Sequence, residues 1–179
     1  MDADKWQKYL KIFTGSFSDR AIPCLPYLPW FKDCNRILDI GCGTGRVVEY
    51  LRKEMLIDAM GITINSLEVK EGISVLADMH EIPFEDESFD GVIAWDVLEH
   101  AVAPYIMLSE AHRVLTMKGR FLCFLPGEDW IDCNYHSIVL TDKQFRHLCK
   151  IAGFKSIEML QDEGRSATRG GRIYKVIKC

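Results

Sequence analysis

Apolar positions along this chain follow two rhythms. Short, nearly unbroken apolar runs recur at 36–40, 57–63, 73–77, 88–95 and 119–125, the pattern of strands covered on both faces. Between them apolar residues return at helical spacing: Val47, Val48, Leu51 and Met55 after the first run, then Ile106, Leu108, Ala111, Val114 and Leu115 within 103–116. A further helix over 142–152 is opened by Thr141 as its cap. Strands separated by helices predict an α/β architecture with an open, mostly parallel sheet.

The two ends differ from this middle. Phe154–Leu160 and Ile173–Ile177 are strand-like runs joined directly by 161–172, which has no helical pattern, so they are expected to pair antiparallel at one edge. Trp6, Tyr9, Leu10 and Phe13 give residues 3–13 a helical stripe, and the proline-punctuated run from Ile22 to Pro29 cannot continue it. The expected organisation is one domain over 1–179, with a helix and lead-in over 1–35 ahead of a core over 36–179.

Composition narrows the class. A chain of 179 residues with 48% apolar and 27% charged content can bury one core without a metal or a disulfide. Its seven cysteines, at 24, 34, 42, 123, 133, 149 and 179, form no C-x-x-C pair and the histidines do not cluster in sequence, which argues against a disulfide framework and a zinc site; no metal is expected. The acidic start Met1-Asp2-Ala3-Asp4 is unlike a signal peptide, and no apolar stretch reaches the length of a membrane span, so the expectation is a cytoplasmic protein. Residues 143–179 hold nine Lys/Arg against three Asp/Glu inside a total charge of −4. That basic end suits a phosphate-bearing partner or is simply a solvated face.

The central motif is Leu38-Asp39-Ile40-Gly41-Cys42-Gly43-Thr44-Gly45-Arg46, placed where the first strand meets the first helix. Its glycines allow a tight turn and close approach of the backbone to a ligand, and the helix N-terminus offers free N–H groups to a carboxylate. A nucleotide-like ligand with an anionic tail fits. A dinucleotide fingerprint would read G-x-G-x-x-G, whereas Arg46 stands three residues after Gly43 and the third glycine comes one position early, which disfavours nicotinamide or flavin.

On these residues the chain resembles the class I S-adenosylmethionine-dependent methyltransferases, in particular their general small-molecule type, over about residues 36–160. Three more segments carry the likeness: Ala77-Asp78-Met79-His80 through Ser88-Phe89-Asp90, Val92-Ile93-Ala94-Trp95-Asp96-Val97-Leu98-Glu99-His100, and Glu110-Ala111-His112-Arg113-Val114-Leu115 through Lys118-Gly119. The resemblance implies a Rossmann-like, doubly wound, seven-stranded sheet with an antiparallel edge strand, S-adenosylmethionine as cofactor and S-adenosylhomocysteine as product. It implies that Gly41, Cys42, Gly43 and Gly45 line the cofactor and that Asp39 orients the turn or reaches the cofactor's amino group. It further implies that Asp78, with Met79 beside it, accepts a hydrogen bond from the adenine amino group, and that Trp95 approaches the methionine part.

One departure follows the second strand, in Gly61-Ile62-Thr63-Ile64-Asn65-Ser66-Leu67-Glu68, where Thr63 takes the place of the usual ribose-binding acid. A Thr with an acid five residues later is similar to the cyclopropane-fatty-acid-synthase branch. Glu68 is therefore the expected ribose contact with Thr63 nearby, the alternative being a solvated helix residue. Glu99-His100 also occurs in that branch but is widespread, and implies no lipid acceptor.

A hydroxyl or ammonium acceptor needs a base, and histidine titrates nearest to working pH. His100, after the fourth strand, and His136, in the loop 126–136 with Trp130 and Tyr135, are the catalytic candidates. No Asn/Asp-Pro-Pro-aromatic motif and no Pro-Cys follows the fourth strand, which disfavours adenine, glutamine and cytosine methylation. The negative total charge leaves nucleic acid as a minor option. The expectation is transfer to a small molecule of unread identity, the alternative a non-catalytic cofactor-binding or regulatory subunit. A partner or a second copy in a homodimer would help close the pocket.

Overall fold

The run at 36–40 becomes an interior strand, β1 (Arg36–Ile40), because Ile37, Leu38 and Ile40 find complete burial there. The computed structural model describes residues 24–127, 134, 136–161 and 171–179. The expected helix over 3–13, the loop aromatics Trp130 and Tyr135, and most of 161–172 lie outside them. The chain divides into Met1–Trp30 and Phe31–Cys179. In the first unit the described residues begin a 3-10 segment, Leu25–Phe31, with the Tyr27 amide donating to the Cys24 carbonyl.

In the second unit β1 is followed by α1 (Arg46–Glu54), β2 (Asp58–Thr63), β3 (Ser74–Leu76), β4 (Phe89–Trp95), a 3-10 turn (Leu98–His100), α2 (Pro104–Val114), β5 (Leu115–Pro126), α3 (Asp142–Ile151), β6 (Ser156–Gln161) and β7 (Gly171–Ile177). The seven strands form one sheet in the order β3-β2-β1-β4-β5-β7-β6. Pairs from β3 to β5 are parallel, and β7 runs antiparallel to both β5 and β6. The antiparallel pair at that edge is the one expected, with β7 one place in from the rim. Chain order reverses between β1 and β4, and at such a switch point the carboxyl ends of the strands open a crevice for ligands.

Two details differ from the sequence expectation. Helices do not separate every pair of strands: 64–73 and 77–88 are turns. Ten residues leave no room for a helix with its two loops, and local bonds favour turns there. The Asn65 side chain accepts the Leu67 amide, the Glu68 amide reaches the Asn65 carbonyl, and Gly72 has a positive φ. The helix expected over 103–116 also ends at Val114, with Leu115 opening β5. Its buried stripe is Met107, Leu108, Ala111 and Val114, while Ile106 faces outward.

The expected Thr141 cap is present as a full capping box. Its hydroxyl accepts the Gln144 amide, and the Gln144 side chain accepts the Thr141 amide. Among the described residues no helix is long and apolar enough to cross a membrane.

Candidate cofactor and acceptor site

Strand β1 delivers the glycine turn to the carboxyl edge of the sheet, and the three glycines serve different needs. Gly41 and Gly45 have φ of 71° and 78°, and a Cβ there would meet Val97 Cγ2 at 2.1 Å and Ile73 Cγ2 at 2.5 Å. Those two are demanded by packing. Gly43 also has a positive φ, but the nearest atom to its Cβ position is Glu68 Oε2, 3.9 Å away. Its bare backbone opens onto space bounded by a carboxylate, as close approach of a ligand requires.

Cys42 turns toward the neighbouring strand. Its amide donates to the Ile62 carbonyl at 2.9 Å, and a Cβ on Gly61 would lie 2.4 Å from its sulfur. Burial pushes the thiol up to about 12, so it stays protonated and inert as a nucleophile. Asp39 is 3% exposed, and burial lifts its carboxyl from 3.8 to about 7.

The ends of β2 and β3 converge on the same edge. Thr63 donates its hydroxyl to Glu68 Oε2 at 3.3 Å, so the two residues expected near the ribose do meet, with Glu68 on a turn and not on a helix. The Ala77 amide donates to the Thr63 carbonyl at 3.0 Å, which sets Asp78 beside them.

Asp78 Oδ1 accepts the His80 amide at 2.8 Å and lies 2.6 Å from His80 Nδ1. His80 Nε2 in turn accepts the Ala103 amide at 3.2 Å, which leaves the imidazole proton on Nδ1, facing Asp78. The backbone N–H of His80 first, and its ring second, hold the Asp78 carboxyl below the ordinary range. Met79 is half-buried against the core.

His80 was not singled out by sequence reasoning, although an acid two residues before it is a local signal for such a turn. A larger brace was also missed. Arg113 donates to the carbonyls of Ile82 and Phe84 and to the carboxylates of Glu110 and Asp86, while Glu110 accepts the Ile82 amide. One guanidinium thus shapes the turn segment that carries Asp78 and Met79. The Glu110–Arg113 spacing, i to i+3 on a helix, was the available clue.

At the end of β4 the Trp95 ring stacks on Phe124, centroids 4.9 Å apart and 15° from parallel. Asp96 then takes a φ of 53°, a left-handed conformation that Asp accepts more readily than most residues. This swings the chain into the 3-10 turn bearing Glu99 and His100.

The Ser137 and Ile138 amides both donate to the Glu99 carbonyl, at 2.8 and 3.2 Å. That tie brings His136 to His100, ring centroids 5.3 Å apart and edge to face. The two histidines named from sequence therefore share one place, with buried Glu99 against them.

The residues present suit S-adenosylmethionine on this geometry. A buried acid, an open glycine backbone, a Thr–Glu pair and an oriented Asp line one edge. The family model for a methyltransferase domain matches residues 38–123. Sterol 24-C-methyltransferase ERG6B of Gibberella zeae is 34% identical over 124 residues, 60% of this chain and 33% of its own. Demethylmenaquinone methyltransferase of Symbiobacterium thermophilum is 30% identical over 139 residues, 69% of this chain and 50% of its own. The chain spans less than two thirds of the length of these curated relatives.

A crystal structure of a SAM-dependent methyltransferase from Archaeoglobus fulgidus superposes with a TM-score of 0.79, covering 97% of this chain and 99% of that one at 20% identity, a likeness of fold. Residues 38–123 of the chain thus match the methyltransferase-domain family, and the sheet has the Rossmann-like fold of the S-adenosylmethionine-dependent methyltransferases.

Proposed function

We propose that the chain is an S-adenosylmethionine-dependent methyltransferase acting on a small molecule. The observation that carries this is the meeting of Gly43, the Thr63–Glu68 pair and Asp78 at the carboxyl edge of β1, β2 and β3. When bound, the cofactor supplies a methyl group made electrophilic by its sulfonium.

The chain's own residues then have distinct tasks. Glu68, held by Thr63, accepts from ribose hydroxyls. Asp78, fixed by His80, accepts from the adenine amino group. Asp39 meets the cationic amino end, and Gly41, Cys42, Gly43, Gly45, Met79 and Trp95 shape the walls. His100 or His136 accepts the proton that a hydroxyl acceptor gives up as it is methylated, or that an ammonium acceptor gives up beforehand to free its lone pair. The matched relatives are named for methylating a sterol and a demethylmenaquinone, which supports a small-molecule acceptor.

The test is calorimetric titration with S-adenosylmethionine and S-adenosylhomocysteine of the wild type, Asp78→Ala and Gly43→Val, followed by an acceptor screen. Binding by the wild type that both variants lose is the expected result. Failure of the wild type to bind overturns the proposal.

A further inference from the structure

Glu99, His100 and His136 each place a ligand-type atom so that all three lie within 4.8 Å of one another. Glu99 Oε1 is 4.0 Å from His100 Nε2. The sequence gives no hint of this, since Glu99-His100 and His136 stand thirty-six residues apart with no metal-ligand spacing. The fold supplies the convergence, through the two amides of 137 and 138 anchored on the Glu99 carbonyl and the Ser137 hydroxyl directed to the His100 carbonyl. A backbone tie of this kind fixes where His136 stands relative to the 3-10 turn.

We propose that these three side chains form a binding site for a first-row divalent cation of the zinc class, at the carboxyl end of β4. Two imidazoles and one carboxylate are a donor set that zinc and its neighbours accept. Ligand bonds of about 2.0–2.2 Å place donor atoms about 3–4 Å apart, so the three atoms need to close by about 1 Å. His100, with its side chain 40% exposed, stands on the solvent side of the cluster, whereas Glu99 is 2% exposed and provides the fixed corner. Three protein ligands leave coordination positions open for an exogenous oxygen or sulfur. The ligand class is thus a hydroxyl or thiol compound bound through the metal.

The inference goes beyond the methyltransferase reading: with the cation bound, the ligating nitrogens of His100 and His136 are engaged and do not take the acceptor's proton, and the test of the site does not depend on that reading. Co2+ added to the metal-stripped full chain should give the visible d–d absorption of a low-coordinate nitrogen–oxygen site at one equivalent. Zn2+ should displace it. His100→Ala and His136→Ala should each weaken binding by at least about tenfold, Glu99→Gln should weaken it too, and His147→Ala, on the exposed face of α3, should leave it unchanged. Circular dichroism of each variant separates loss of the site from loss of the fold. A folded wild type with no such absorption, or one that His100→Ala and His136→Ala leave intact, overturns the site. Cofactor binding measured on the same sample keeps the two readings apart: Co2+ binding without S-adenosylmethionine binding sinks the methyltransferase reading alone, and the reverse sinks the metal site alone.

Discussion

Replacing Asp39 by Asn should make the cofactor-free protein more stable and a poorer binder. The carboxyl holds its proton to about pH 7 in the folded chain, against 3.8 when solvated. The unfolded state therefore releases the proton first, and rising pH between about 4 and 7 favours unfolding. A difference of about three pH units, at about 1.4 kcal/mol each, sets a cost of about 4 kcal/mol above that window. An amide carries no charge and escapes most of it.

Urea melts of wild type and Asp39→Asn, repeated from about pH 4 to about pH 8, read the effect directly. The wild type should lose stability across the window and the variant should not, while calorimetry shows weaker S-adenosylmethionine binding by the variant. Equal pH slopes in the two proteins would refute the reasoning. Cofactor binding, by bringing a cationic amino group to Asp39, should also release a proton near neutral pH, visible as a buffer-dependent binding enthalpy.

The three glycines should separate in the same assays. Gly41→Ala forces a Cβ to 2.1 Å from Val97 Cγ2 and should cost about 3 kcal/mol or more of stability. Gly43→Ala should cost about 1–2 kcal/mol through its positive φ and act mainly on cofactor affinity. His80→Leu removes the ring that holds Asp78 and should weaken cofactor binding severalfold at a stability cost of about 1 kcal/mol, read by calorimetry and thermal melts. Arg113→Met breaks the brace over Ile82, Phe84 and Asp86 and should cost about 2–3 kcal/mol, with faster hydrogen exchange confined to 79–88.

Legibility from sequence follows the range of the forces involved. The glycine turn, β1 and the Thr141 cap are set within a few residues of each other, and they were read correctly. The helix-free connections around β3 were harder, because the alternation of strands and helices elsewhere in the chain suggests a helix there and only the short span from Thr63 to Ser74 excludes one. That Glu68 reaches Thr63 followed from a local pattern. The joining of His136 to His100 did not, because it depends on backbone amides finding a carbonyl thirty-eight residues away in sequence. Arg113 was visible as part of a family-like segment, but its hold on the turn segment is tertiary and carries no periodicity.

Cys42 and Gly61 show a constraint that acts between strands. The sulfur of the glycine turn fills the place a side chain at 61 would need, so the two positions cannot enlarge independently. In chains of this fold a side chain at 61 should appear only with Gly at 42, because the Cβ of residue 42 alone would lie 2.6 Å from a Cβ at 61, so that Ala at 42 gives no relief. Variation at 42 would then track the packing of the adjacent strand and carry little information about which acceptor is methylated.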